Sequence, residues 1–494
     1  MTNYLAIDLG AESGRTIVGT LENGILSLSE THRFSNAPVQ LPDGLHWDVL
    51  RLWSDIQAGI SASAAKYPLA SLALDTWGVD FALLDRNGAL LGNPFHYRDI
   101  RTDGMLDKAF RCITREQIFA QTGIQFLQIN TLYQLLAMSL QKSPMLDVAQ
   151  TFLTIPDLFN YWLSGKICCE FTNATTTQCF DPVRRSWALP LLEALDIPTR
   201  ILPPVCEPGT ALGSLLPEVA TKTGAGPIPV IAPACHDTGS AVVAVPAENK
   251  DFAWLSSGTW SIMGCEADAP CLDERALAYN FTNEGGVNGT WRLSKNILGL
   301  WLVQECHREW NMSYAELTQL ATEATPFLAV IDPDDDSFFH PGNMPEKIRA
   351  FCSKTQQTIP QTKGEIIRVA LESLALKYRF VLERTEALTG KHLTPLHIIG
   401  GGTKNKLLNQ FTADSIGRTV MTGPIEATAI GNILMQAITL GHLANLNEAR
   451  VVVRHSFSPE IYQPGQRAGW DEAYAKLLTL LDSNVSPGLT ARTG

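Results

Sequence analysis

The chain has 494 residues, and 38 Lys plus Arg against 50 Asp plus Glu give a formal net charge of −12. With no basic run to concentrate positive charge, a nucleic-acid partner is not expected. No basic leader precedes an apolar stretch and no run reaches the about 18 apolar residues of a membrane span, so the expectation is a soluble, cytoplasmic protein with no membrane partner. The length predicts two large domains or about three ordinary ones.

Residues 4–9 form a short apolar run, 10–14 a turn of small residues, and 15–20 and 25–34 read as further strands, which predicts a three-strand meander. Val49, Leu50, Trp53, Ile56 and Ile60 fall at helical spacing, and 69–75 reads as the next strand. Strands, then helix, then strand mean an α/β chain. Pro227, Pro229, Pro233 and Pro246 punctuate the middle and place a boundary near 245–250. The expected domains are therefore 1–246 and 247–455, with a helix and tail at 456–494. Just past the boundary, a strand (252–255), turn (256–258) and strand (259–265) echo the opening. Residues 396–399 read as a buried strand, Gly400 to Gly402 as a tight turn, and 407–416 and 427–440 as helices. Trp470, Tyr474, Leu477, Leu478 and Leu481 mark a last amphipathic helix, and 486–494 reads as frayed. Ten cysteines without a Cys-x-x-Cys spacing read as reduced thiols, mostly in the core.

Four segments carry candidate chemistry. In the first, Asp8 is followed by Ala11, Glu12, Ser13, Gly14 and Arg15. Small residues let backbone N–H groups approach an anion, Arg15 can grip phosphate bidentately, and Asp8 can hold Mg²⁺ directly or through water. A plain glycine hairpin with a surface arginine would carry the same residues. In the second, Ser256, Ser257, Gly258 and Thr259 gather hydroxyls at a turn, where Thr259 can reach a terminal phosphate. In the third, Gly400, Gly401 and Gly402 lead a strand into a helix, which suits a nucleotide or simple strand-on-helix packing. No P-loop frame is present. In the fourth, Asp237 can accept a substrate hydroxyl proton during phosphoryl transfer while His236 and Thr238 position the substrate. Asp237 can equally N-cap a helix beginning at Ser240. Beyond these, Asp75, Trp77, Asp80, Tyr97, Arg98, Asp99 and Asn296 mix aromatic walls with hydroxyl-binding groups, as a sugar pocket or a core would. His32, His46, His307 and His397 show no metal-ligand spacing.

Together, segments 8–15, 75–81, 130–134, 173–178, 236–238, 255–261, 282–286, 295–301 and 400–402 resemble the FGGY family of sugar kinases, and within it the members acting on L-rhamnulose. The runs Asp75-Thr76-Trp77-Gly78-Val79-Asp80-Phe81 and Thr172-Asn173-Ala174-Thr175-Thr176-Thr177-Gln178 are long enough to be specific. The resemblance implies the actin-like, ribonuclease-H-like ATPase fold, two α/β domains with a ligand cleft between them. It implies that Ala11, Glu12, Ser13, Gly14, Arg15, Thr259, Gln304 and Gly402 contact ATP. It also implies that Gly78, His236, Asp237, Thr238 and Asn296 line the sugar site, with Asp237 as base. On this reading 1–246 holds the sugar and part of the phosphate site, and 247–455 holds the nucleotide. The implied reaction moves the ATP γ-phosphoryl group to the 1-hydroxyl of the ketose L-rhamnulose, in rhamnose breakdown, with Mg²⁺ neutralising the phosphates. One departure is Glu12, where relatives commonly carry serine; its carboxylate should repel phosphates unless it points away or meets Mg²⁺. Two other readings compete: a kinase for another ketose, such as L-fuculose or L-xylulose, and an actin-like sugar or nucleotide sensor without phosphate transfer. Asp237 and Asp8 together argue against the sensor.

Overall fold

The first strand, β1 (Thr2–Leu9), is buried without interruption from Asn3 to Leu9, a pattern that requires cover on both faces of a sheet. In this computed structural model β1 pairs antiparallel with β2 (Ser13–Glu22), which pairs antiparallel with β3 (Ile25–Ser35), giving the expected meander. The structure describes residues 1–465 and 467–484, so the expected fraying at 486–494 lies outside the described residues. The described chain divides into two units. The first contains Met1–Lys250, Glu266–Ser294 and Glu426–Ser458; the second contains Asp251–Cys265, Lys295–Ile425 and the chain from Pro459 onward.

In the first unit, α1 (Val49–Ala64) forms where the apolar spacing predicts a helix and buries Val49, Ile56 and Ile60 as expected, but its inner face takes Leu52, while Leu50 is exposed and Trp53 half-buried. It leads into β4 (Leu69–Thr76), which lies parallel to β1. Strands β5 (Thr210–Ser214) and β6 (Pro229–Ala232) complete a mixed six-stranded sheet in the order β5-β6-β4-β1-β2-β3. The short helix α2 (Asp237–Val243) follows β6. Next come the antiparallel hairpin strands β7 (Thr282–Gly285) and β8 (Trp291–Ile297), and the unit continues to Ser294. Far along the chain, α3 (Ala427–Thr439) returns to this unit and is anchored on its sheet. Gln436 Nε2 donates to the Leu5 carbonyl at 3.0 Å and Ser71 Oγ donates to Gln436 Oε1 at 2.7 Å.

The second unit repeats the local plan. Strand Ala253–Ser257 pairs antiparallel with Ser261–Ala267 and parallel with Leu396–Ile399, which is parallel to Val420–Thr422. In both units the first hairpin strand thus lies beside a strand from further along the chain, so the echo read in the sequence is structural. The second strand begins later than residue 259 because Gly258 N–H donates to the Trp260 carbonyl at 2.9 Å, which puts Thr259 in the turn. Helix Lys363–Thr389 is started by a reciprocal cap between Thr362 and Glu365. Helices Lys406–Ile416 and Trp470–Asn484 fall where the periodicity predicts them. Among the described residues no helix is long and apolar enough to cross a membrane.

Candidate active site

The parallel pairing of β1 with β4 sets Asp8 directly beside Asp75 at the ends of the two strands. Both are buried. Asp75 Oδ2 accepts from Asn432 Nδ2 at 2.6 Å, whereas its Oδ1 is buried without a hydrogen-bond partner. Burial, reinforced by the neighbouring Asp8 charge, pushes the Asp75 carboxyl well above the ordinary range. Asp237 stands at the start of α2, and its Oδ1 accepts from Thr238 N–H at 2.5 Å and Thr238 Oγ1 at 3.1 Å. Asp237 is half-buried, and its partial desolvation raises its carboxyl, with Asp8 adding to the shift and His236 opposing it.

The expectation that Asp237 caps a helix beginning at Ser240 is corrected here. His236 is the N-cap, in extended backbone, and Asp237 is the first helical residue. The cause lies upstream, where the chain is still held as a strand extension: Thr76 N–H donates to the Cys235 carbonyl at 2.9 Å and Thr76 bridges His236. A buried Glu170 fixes the same turn by accepting Cys235 N–H at 3.0 Å.

The loop after Asp8 is tied down by Asn36, whose Nδ2 donates to the Gly10 carbonyl at 2.8 Å and whose N–H donates to the Glu12 carbonyl at 3.0 Å. Gly14 is buried, Ala11 and Ser13 are half-buried, and the Glu12 side chain is exposed. Arg15 donates to Asp8 Oδ2 through Nε at 3.1 Å and Nη2 at 2.9 Å, and its Nη1 meets Glu426 Oε2 at 2.5 Å. Its guanidinium is therefore shared between two carboxylates. Glu426 carried no role in the sequence argument, and its distance along the chain from Arg15 left no local signal.

His236 is the hinge of a buried charge network. Its N–H donates to Thr172 Oγ1 at 3.1 Å, its Nε2 lies 3.4 Å from Asp237 Oδ1, and its Nδ1 lies 3.0 Å from Arg292 Nη2 and 3.2 Å from Glu284 Oε2. Arg292 is fully buried and faces Glu284 directly across the β7–β8 hairpin, with Nη2 and Oε2 3.0 Å apart. Burial would raise the Glu284 carboxyl, but Arg292 and His236 outweigh it and hold Glu284 below its ordinary range. No role for Glu284 or Arg292 came from the sequence. Opposite charges mirrored about the Gly286–Gly289 turn were the available signal.

Gly78 lies in a tight turn where an added Cβ would stand 3.0 Å from Thr176 Oγ1. The next residue, Val79, has φ +68°, a left-handed conformation that is strained for a β-branched residue. It is held by Thr176 Oγ1, which accepts its N–H at 3.1 Å, and by Thr131 Oγ1, which donates to its carbonyl at 2.5 Å. Asp80 and Asp99, which the sequence left open between a sugar pocket and the core, bond to the protein itself. Asp80 accepts from Trp47 Nε1 at 2.6 Å, Trp77 Nε1 at 3.0 Å, Gln134 Nε2 at 2.8 Å and Tyr97 N–H at 3.3 Å. Asp99 accepts Leu45 N–H and Arg101 N–H. Buried indole N–H groups need an acceptor, and Asp80 supplies it.

In the second unit the nucleotide candidates converge on one turn. Leu300 N–H donates to the Gly258 carbonyl at 3.1 Å and Trp301 N–H to the Thr259 carbonyl at 3.0 Å, so helix Trp301–Trp310, which carries Gln304, starts against that turn. Gln304 Oε1 and Ser257 Oγ are buried without hydrogen-bond partners. Gly402 packs on the same strand end, where an added Cβ would stand 2.0 Å from Ser257 Oγ. Asn296 also lies in this unit, near the end of β8. The first unit thus gathers Asp8, Ala11 to Arg15, Gly78 and His236 to Thr238; the second gathers Thr259, Gln304, Gly402 and Asn296. Among the described residues no three His, Cys, Asp or Glu side chains form a ready-made metal cage.

Comparison with known proteins covers most of the chain. Residues 3–244 match the N-terminal domain, and 253–440 the C-terminal domain, of the FGGY family of carbohydrate kinases. A rhamnulokinase from Bacteroides thetaiotaomicron is 44% identical over 474 residues, 96% of this chain and 98% of that protein. Another from Oceanobacillus iheyensis is 42% identical over 461 residues, 93% of this chain and 97% of that protein. Among solved structures, a xylulose kinase from Lactobacillus acidophilus superposes with a TM-score of 0.83 at 16% identity, covering 99% of each chain. Plasmodium falciparum glycerol kinase gives 0.79 at 15% identity, covering 98% of each. The fold is the two-domain α/β fold of these actin-like sugar kinases.

Proposed function

The chain belongs to the FGGY family of carbohydrate kinases, and from that premise we propose that it transfers the γ-phosphoryl group of ATP to the 1-hydroxyl of L-rhamnulose, giving L-rhamnulose 1-phosphate and ADP. The observation that carries the substrate is the 44% identity to a rhamnulokinase, sustained over 96% of this chain. Sugar phosphorylation itself follows from the family.

In this reading Asp237 is the base. Partial burial and the nearby Asp8 charge favour its protonated form, so an ionised Asp237 accepts the proton of the 1-hydroxyl more readily than a carboxylate at its ordinary value does. Thr238, through two donors on Asp237 Oδ1, fixes the carboxylate orientation. Gly78, His236, Thr238 and Asn296 bind the sugar, and Thr259, Gln304, Gly402 and the loop from Ala11 to Arg15 bind ATP. The partnerless oxygens of Gln304 and Ser257 support a polar ligand there, since buried polar atoms otherwise find partners. Phosphoryl transfer asks little covalent chemistry of the protein, so holding both substrates in line is its main contribution.

Mg²⁺ fits the Asp8 and Asp75 pair. A magnesium ion keeps several waters and takes one or two carboxylates plus substrate phosphates, and Asp8 beside the unpartnered Asp75 Oδ1 supplies hard oxygen donors of that kind. Asp8 and Asp75 would hold the ion, directly or through water, and the ion would neutralise phosphate charge.

The test is ADP release by the purified protein with Mg²⁺-ATP against L-rhamnulose, L-fuculose, L-xylulose, glycerol and a no-sugar control. Preference for L-rhamnulose with a 1-phosphate product is expected. Preference for another ketose overturns the substrate and keeps the mechanism; no sugar-dependent release despite ATP binding overturns the kinase reading in favour of a sensor.

A further inference from the structure

We infer that Arg292 is a positioning residue that holds His236 in the tautomer protonated on Nε2, making His236 a hydrogen-bond donor beside Asp237. The inference rests on Asp237 being the base. An arginine has five donors and no acceptor and stays protonated in proteins. The ring nitrogen it touches must therefore be the acceptor. Arg292 Nη2 lies 3.0 Å from His236 Nδ1 with hydrogen-bond geometry, which leaves the imidazole proton on Nε2, the nitrogen 3.4 Å from Asp237 Oδ1.

Glu284 is the competitor. Its Oε2 is 3.2 Å from the same Nδ1, and a carboxylate there would call for the opposite tautomer. Yet Glu284 Oε2 makes no hydrogen bond, whereas its ion pair with Arg292 is closed at 3.0 Å. Glu284 thus serves to neutralise a guanidinium buried to 0% exposure, which would otherwise be prohibitively costly to desolvate. Arg292 Nε, donating to the Gly285 carbonyl at 2.8 Å, fixes the fork so that Nη2 aims at the histidine.

The tautomer matters because of what lies on the other side of the ring. A bare Nε2 would be a second base next to Asp237 and would compete for the hydroxyl proton. A protonated Nε2 instead offers a donor to the substrate oxygen or to the Asp237 carboxylate, and the proton has only Asp237 to go to. His236 then orients, and Asp237 alone collects.

The experiment is a long-range ¹H–¹⁵N spectrum of the full chain labelled with ¹⁵N-histidine, with His236→Asn identifying the resonances. The neutral Nε2–H form is expected in the unsubstituted protein; an Nδ1–H form or an imidazolium would overturn the inference, and this readout requires no Arg292 variant to fold. In Arg292→Met, Glu284 is left facing Nδ1, so the proton should move to Nδ1 and kcat should fall on the order of tenfold with KM for ATP unchanged. Arg292→Lys should restore the Nε2–H form. An unchanged tautomer in folded Arg292→Met would also overturn the inference. If Asp237→Asn stays fully active, the base assignment has failed independently, and the spectrum tells the two failures apart.

Discussion

Gly431 packs so tightly against Ser240 that a Cβ built on it would stand 1.8 Å from the Ser240 carbonyl oxygen. Gly431 belongs to α3 and Ser240 to α2, so the two helices meet backbone to backbone. Since α2 begins with Asp237, the position of α3 sets the position of the proposed base. Gly431→Ala must displace one helix, at a cost of about 1–3 kcal/mol for overpacking, and should lower both the thermal midpoint and kcat. Unchanged unfolding and unchanged turnover would show that α3 does not control Asp237.

Asp237→Asn keeps the size and most contacts of the side chain while removing its ability to take a proton. Turnover should drop by about 10²–10⁴-fold, the range of a general base, while ATP binding, measured by calorimetry, stays nearly intact. A variant with near parental kcat would remove Asp237 from the chemistry.

The acidity of Asp237 also predicts a pH profile. The base must be ionised to work, and partial burial with the nearby Asp8 raises its pKa above the ordinary value of 3.8. Activity should therefore fall as pH drops, with an acid limb above the normal carboxylate range. Asp8→Asn removes one of the raising influences, so the limb of its residual activity should move to lower pH. An acid limb that stays in place would mean another group sets it.

How much of this was legible beforehand follows from how local each signal is. β1 to β4 and α1 were readable because burial on one or both faces writes a period into the sequence that a few neighbouring residues complete. The Asp8 loop and the Gly400 to Gly402 turn were readable for the same reason: an acid or a glycine at a strand end is a local feature. Asp80 stayed open between a sugar pocket and the core because a buried acceptor for the Trp47 and Trp77 indoles looks, in sequence, like any acid among aromatics. Glu426 and the return of α3 to the first sheet were not readable, since their partners Arg15, Leu5 and Asp75 lie at the other end of the chain. Arg292 sits between: its pairing with Glu284 needs the hairpin register, which the sequence suggests but does not state.

The pairing of Arg15 with Glu426 separates structure from function at the phosphate loop. Both side chains are partly exposed, at 22% and 30%, and an ion pair in that setting contributes about 0–1 kcal/mol. Glu426→Gln should therefore leave the thermal midpoint nearly unchanged. Its effect should fall on ATP instead, because a phosphate gripped by Arg15 must compete with Glu426 for the same guanidinium while Asp8 keeps its own hold. Removing that competitor should lower KM for ATP, and Arg15→Ala should raise it. If Glu426→Gln raises KM as Arg15→Ala does, Glu426 is orienting the arginine rather than competing for it, and the loop uses the carboxylate to aim its cation at the phosphates.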